Sequence, residues 1–143
     1  MKALTAAEMR EVDRLTTERF GVPSLQLMEA AGKRVAEVFL EQYGHKNVDP
    51  PGFVAVLCGK GNNGGDGFVV ARHLKEEADH VRVYLFAKPE ELQGDAAKNY
   101  ERWLEQGGGI TVLQSEAEWE KARGEISGAD VIVDALLGTG IRG

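Results

Sequence analysis

Asn62, Asn63 and Asp66 lie in a stretch, Gly59 to Gly67, in which five of nine residues are glycine. The asparagines supply amide oxygens and N–H groups, the aspartate supplies acceptors only, and the glycines let the backbone come close to whatever it faces. Amide and carboxylate oxygens are hard ligands. Residue type alone therefore admits potassium, sodium or magnesium. A second candidate stands far along the chain. Asp134 sits near the end of an apolar run, Val131 to Leu136, that leads into another glycine loop, Gly138-Thr139-Gly140-Ile141-Arg142-Gly143. A carboxylate there can ligate a cation, hydrogen-bond a substrate, or act as general acid or base. The plainer alternative is a carboxylate that caps backbone N–H groups of the turn from Leu136 to Gly140.

The first loop also carries the G-x-G-x-x-G spacing, as Gly59-Lys60-Gly61-Asn62-Asn63-Gly64, between an apolar run and a helical pattern. That is the setting of a dinucleotide fingerprint. The acidic residue expected at the end of the following strand is missing, since Phe86-Ala87-Lys88 stands there, and this weakens an NAD-dependent dehydrogenase reading. No Lys-Ser or Lys-Thr follows Gly64, so the loop is not a Walker loop. A tight strand-to-helix turn remains the structural alternative. Cys58 reads as a small core residue and His73 as a packed or surface histidine. His45 and His80 read as surface residues, and the Glu76-Glu77 and Glu90-Glu91 pairs as solvated faces. No Ser-His-Asp or Cys-His arrangement can be assembled.

The elements that must position these residues follow from periodicity. Thr5 to Glu8 forms a capping-box pattern opening a first helix that ends near Phe20-Gly21. Ser24 is placed to cap a second helix, Leu25 to about Tyr43, in which Gly32 admits a close backbone contact. Phe53 to Cys58 is a continuous apolar run, as in a strand buried on both faces. After the glycine loop, Phe68 to Glu77 reads as a helix, Val81 to Phe86 as a strand, and Asp95 to about Gln106 as a helix with Asp95 at its N-cap. Gly109 to Leu113 is a strand. Ser115 to Glu118 is a capping box opening a helix to Arg123-Gly124, and Val131 to Leu136 is the fourth strand. Alternating strands and helices imply a parallel sheet. In the order 3-2-1-4 the first and fourth strands are neighbours, and both glycine loops line one crevice at the switch point.

The chain has 143 residues, 43% hydrophobic and 28% charged, with net charge -6 and one cysteine. An internal disulfide is impossible, and an acidic total speaks against a nucleic-acid surface. The early charges do not suit a signal peptide, and no apolar run approaches the ~20 residues of a membrane span. A cytoplasmic soluble protein is expected. Because the chain stops directly after a glycine loop, the last strands and helices of the fold are expected to be missing.

Three segments resemble the YjeF N-terminal domain family, the NAD(P)H-hydrate (NAD(P)HX) epimerases. They are Leu25 to Gly32, Gly59 to Gly67 followed by Ala71-Arg72-His73-Leu74, and Val133 to Gly140. The resemblance implies that residues 1–143 are the N-terminal part of such a domain, with a Rossmann-like three-layer α/β/α fold, a mainly parallel sheet and two leading helices. It implies repair of NADH and NADPH hydrated at C6, by interconverting the R and S epimers, beside an ADP- or ATP-dependent dehydratase that in many bacterial members is fused. Asn62, Asn63, Gly64, Gly65 and Asp66 would contact the hydrate. Gly138, Thr139, Gly140, Ile141, Arg142 and Gly143 would form the second ligand loop. Asn63 and Asp134 would bind potassium, and Asp134 is a candidate proton carrier. The family's next strand, ending in a motif like VDIPSG, is absent here. Relatives suggest a homodimer, and a non-catalytic nucleotide-binding or scaffold module of the same fold is the alternative function.

Overall fold

The computed structural model describes residues 21–44 and 52–136. The Thr5 capping box, the first helix, His45 and the loop Gly138–Gly143 lie outside these residues. The first described helix, α1, spans Ser24–Gly44. The carbonyl of Pro23 accepts from the N–H groups of Gln26 (3.0 Å) and Leu27 (3.2 Å), so Ser24 is the first helical residue and not its cap.

β1 spans Phe53–Cys58, as its apolar run predicts. α2 spans Asn62–Leu74, six residues earlier than the Phe68 start expected from sequence. β2 spans His80–Leu85, and a short 3-10 turn follows at Pro89–Glu91. α3 spans Gly94–Glu105 and is capped by Gln93, not by Asp95, which falls in its first turn. The left-handed φ of +56° at Gly94 makes the sharp entry that only glycine takes readily. β3 spans Gly109–Val112, α4 spans Glu116–Ile126 and β4 spans Val131–Ala135. Ser115 caps α4 as expected, accepting from Glu118 N–H at 3.1 Å through Oγ, but the return bond to Glu118 Oε1 comes from the Ser115 hydroxyl, at 3.0 Å, in place of the backbone N–H of a full capping box. Gly124 lies inside that helix and does not end it.

The four strands form one parallel sheet in the order β3-β2-β1-β4. Helices cover both faces, which gives the expected three layers. On one face Val54, Val56 and Cys58 pack against Phe68, Ala71 and Leu74 of α2 and Trp103 of α3. On the other, Ala55, Leu57 and Tyr84 pack against Ala122 and Ile126 of α4. The Tyr84 hydroxyl donates to Glu125 at 3.1 Å and pins α4 to the sheet. Trp103 is fully buried and its Nε1–H donates to the Gly109 carbonyl at 3.1 Å. Cys58 is the core residue the sequence implies, and burial pushes its thiol well above the usual range, which leaves it unreactive. Among the described residues, no helix is long and apolar enough to cross a membrane.

α2 approaches its neighbours more closely than side chains allow. A Cβ on Gly67 would lie 2.7 Å from Cys58 Sγ and 2.8 Å from Ala135 Cβ. One on Gly65 would meet Met28 Sδ at 2.8 Å and Ala96 Cα at 3.1 Å. One on Gly32 of α1 would meet Val69 Cβ at 2.6 Å, so the close contact allowed for Gly32 is where α1 crosses α2. The same substitution should therefore have opposite signs in two helices. Gly67→Ala overpacks and should destabilise by roughly 1–3 kcal/mol in urea denaturation. Gly124→Ala, with nothing within 4 Å, should stabilise by up to about 1 kcal/mol.

Candidate functional site

The glycine-rich stretch is mostly helix. Only Gly59 to Gly61 form the turn after β1, and Gly61 is the N-cap, in extended conformation and with no side-chain cap. Helical spacing then sorts the next residues. Asn62 and Asp66 are four apart and Asn63 and Asp66 three apart, so the three share one side of the first two turns. Gly64, Gly65 and Gly67 fall on the other side and are buried. Gly64 lies under the Gly59 backbone, with a would-be Cβ 2.8 Å from its carbonyl carbon. Asn62 is exposed, and Asn63 and Asp66 are half-buried. A helix start presents its first N–H groups along the axis and favours negative charge there.

β4 completes this end of the sheet. Leu57 pairs with Asp134 and Cys58 with Ala135. The Gly59 N–H donates to the Ala135 carbonyl at 3.1 Å, and a Cβ on Gly59 would run into the carbonyl of Leu136. The first turn of α2 and the end of β4 thus meet at one carboxyl edge, where the order 3-2-1-4 puts the switch point. Asp134 is exposed, and its Oδ1 accepts from Leu136 N–H at 3.1 Å, so the capping role does occur at one of its two oxygens. Asp134 shares its sheet face with its partner Leu57, which packs against α4. The carboxylate and the α2 turn therefore approach the edge from opposite faces.

A polar network unforeseen in the sequence fixes α2 between α1 and α3. Glu29 of α1 accepts from Arg72 Nη2 through Oε2 and meets His73 Nε2 through Oε1 at 2.9 Å. Arg72 Nη2 also donates to Asn99 Oδ1 at 3.1 Å, and Asn99 Nδ2 donates to the Asp95 carbonyl (3.0 Å) and to Met28 Sδ (3.1 Å). Asn99 is fully buried, which it can be only because its amide is bonded on both sides. His73 is thus the packed histidine of the two readings. Burial raises the Glu29 carboxyl, but Arg72 and His73 outweigh it and hold the group below the usual carboxylate range. Glu29, Arg72 and Asn99 each interrupt helical positions otherwise apolar or small, which marks them singly but does not pair them.

The other minor candidates divide. His80 is exposed and sits 5.1 Å from the Phe53 ring, and Glu76, Glu77 and Glu90 are solvated. Glu91 is exposed as expected, and it also accepts from Lys88 N–H at 3.1 Å and faces Lys60 Nζ at 3.6 Å. Among the described residues there is no group of three or more His, Cys, Asp or Glu that could hold a metal. The Asn63 and Asp134 oxygens are a hard donor set of low charge, which fits an alkali cation better than a transition metal.

The comparisons with known proteins bear on the family and the fold. The family model described as "YjeF-related protein N-terminus" matches residues 24–143. The bifunctional NAD(P)H-hydrate repair enzyme Nnr of Moorella thermoacetica is 42% identical over 100% of this chain and 27% of its own length. The NAD(P)H-hydrate epimerase of Rhodopirellula baltica is 42% identical over 97% of this chain and 53% of its own. The crystal structure of the yeast protein ynu0, YNL200c, superposes with a TM-score of 0.77 at 26% identity, over 100% of this chain and 59% of that one. The chain thus spans between about a quarter and three-fifths of the length of these relatives.

The Glu29 network should be visible in acid. A carboxyl lowered by folding contributes stability that is full above its unfolded value, about 4.3, and lost as pH falls through the folded one. Glu29→Gln should cost roughly 1–2 kcal/mol at neutral pH. It should also flatten the fall in stability below about pH 4.3, followed by urea midpoints across a pH series.

Proposed function

Because the chain belongs to the YjeF-related protein N-terminus family, we propose that it interconverts the R and S epimers of hydrated NADH and NADPH. The observation that carries this reading is the glycine-packed start of α2 against the ends of β1 and β4. It brings an anion-favouring helix start and a carboxylate to one edge. The names of the relatives from Moorella thermoacetica and Rhodopirellula baltica support the same reading.

In this account Asn62, Asn63, Gly64, Gly65 and Asp66 hold the hydrate and its phosphates, together with the loop Gly138 to Gly143. The carbon at C6 loses its hydroxyl as water, with a proton donated to the leaving oxygen, and water returns to either face with loss of a proton. Asp134 carries that proton. Asn63 and Asp134 would hold a potassium ion, which would supply fixed positive charge beside the ligand. The S epimer passes to an ADP- or ATP-dependent dehydratase, and the working form is a homodimer.

The test supplies the full-length protein with the R hydrate and excess S-specific dehydratase. The R form should be consumed much faster than with dehydratase alone, and Asp134→Asn should slow this by about 10²-fold or more. Consumption at the rate of dehydratase alone overturns the reading in favour of a non-catalytic binding module.

A further inference from the structure

Alternation along β2 gives its two sides different chemistry. Val81, Val83 and Leu85 join the core under α2, so His80, Arg82 and Tyr84 turn to the α4 side. Phe53 and Ala55 of β1 and Gly109 and Thr111 of β3 fall on that side too. There Phe53, His80, Arg82, Tyr84, Thr111 and Glu125 of α4 line a cavity of about 370 Å³. That is at the lower end of the range of small-molecule sites. Phe53 and His80 are the first residues of their strands, so the cavity lies toward the amino edge of the sheet. The six residues of β1 separate it by roughly 17 Å from the carboxyl edge, where Asp134 and the start of α2 meet.

Arg82 is the residue that strand packing does not explain. Inner strands of parallel sheets are normally apolar throughout, and arginine is rarely buried without a partner. Its strand neighbours are Ala55 and Gly109, which leave room for it. A Cβ on Gly109 would lie 3.5 Å from Arg82 Cζ, 3.6 Å from Nη2 and 3.7 Å from Nη1. Such nearly equal distances mean that the guanidinium lies flat over the Gly109 backbone. Nη1 donates to Thr111 Oγ1 at 2.9 Å, which fixes its rotation. Arg82 is half-buried, yet it forms no ion pair among the described residues, and its other N–H groups donate to none of them. The fork is held in place with donors to spare.

The opposite wall carries a fixed negative group. Glu125 Oε2 accepts from the Tyr84 hydroxyl at 3.1 Å, and its Oε1 accepts from no described residue. Burial and the neighbouring Glu125 push the Tyr84 hydroxyl up to about 12, so it stays a donor at neutral pH. A simple anion in this cavity meets Glu125, and a simple cation meets Arg82, so neither suits the pair. A zwitterion suits both, with a carboxylate on the guanidinium fork and an ammonium on the Glu125 carboxylate. Beside them the Phe53 and His80 rings, 5.1 Å apart and tilted by 32°, offer a wall for a flat apolar group. That wall is anchored where Phe53 N–H donates to Asp130 Oδ2 at 2.8 Å.

We propose that this cavity is a second ligand site, which takes a free α-amino acid with an aromatic side chain. The carboxylate lies on Arg82, the ammonium on Glu125 and the ring against Phe53 and His80. The site is at the opposite edge of the sheet from the proposed reaction, and it does not rest on the epimerase reading.

The test is equilibrium dialysis of the full-length protein against L-phenylalanine, 3-phenylpropionate and phenethylamine. The first carries both charges, the second lacks the ammonium and the third lacks the carboxylate. L-Phenylalanine should bind saturably at millimolar concentration or below. Each analogue should bind roughly tenfold more weakly or worse, as the loss of one hydrogen bond between charged groups allows. Glu125→Gln should weaken L-phenylalanine by about tenfold and strengthen 3-phenylpropionate, because the carboxylate that repels it is gone. Arg82→Met should abolish binding of both. Should that variant fail to fold, the three ligands on the unaltered protein decide alone. No saturable binding of L-phenylalanine, equal binding of the three compounds, or L-phenylalanine binding unchanged in Glu125→Gln overturns the site.

Discussion

The absence of side-chain volume on one side of α2 is the constraint on which the rest depends. Gly64 rests on the Gly59 backbone, Gly65 on Met28 and Ala96, and Gly67 on Cys58 and Ala135. Each contact is too close for a Cβ, and together they press the helix start against α1, α3 and the ends of β1 and β4. Helical geometry does the remainder. With the glycines turned inward, Asn62, Asn63 and Asp66 are on the opposite side of the turn. The backbone that brings the helix to the strand ends also orients the polar residues.

Close packing alone would not hold α2 at a fixed height along the sheet, because glycine contacts have little shape to resist sliding. The bonds from Glu29 through Arg72 to Asn99 add direction. They tie α1, α2 and α3 at a second point, a turn or two beyond the glycines, and Met28 belongs to both sets of contacts. Arg72 is the hinge of this set, since its guanidinium presents several donors in one plane and can serve a carboxylate and an amide together. Position is thus set by packing at the start of the helix and by charge-assisted hydrogen bonds further along it.

Much of this was legible in the sequence. The four strands, the Ser115 cap of α4 and the order that makes β1 and β4 neighbours all follow from apolar runs, turn residues and alternation. The start of α2 did not, for a physical reason. Glycine is the poorest helix former after proline, so local propensity assigns Asn62 to Gly67 to a loop, and tertiary packing reverses that. The capping error at Asp95 is similar, since the left-handed φ of Gly94 moves the cap to Gln93. Asn62, Asn63, Asp66 and Asp134 could be picked by residue type and position, and the fold brings them to one edge. The Glu29–Arg72–Asn99 set could not, because three helices must be docked before those residues meet.

The account's central claim is that the ligand lies across the carboxyl edge, between the first turn of α2 and the end of β4. A crystal structure of the full-length protein with NADPH hydrate and potassium tests it most directly. The expected result is dinucleotide density with phosphates at the N–H groups of Asn62 to Gly64, the hydrated ring toward Asp134, and a cation on the oxygens of Asn63 and Asp134. A dinucleotide bound elsewhere, or an edge between β1 and β4 filled by the protein's own side chains, would contradict it.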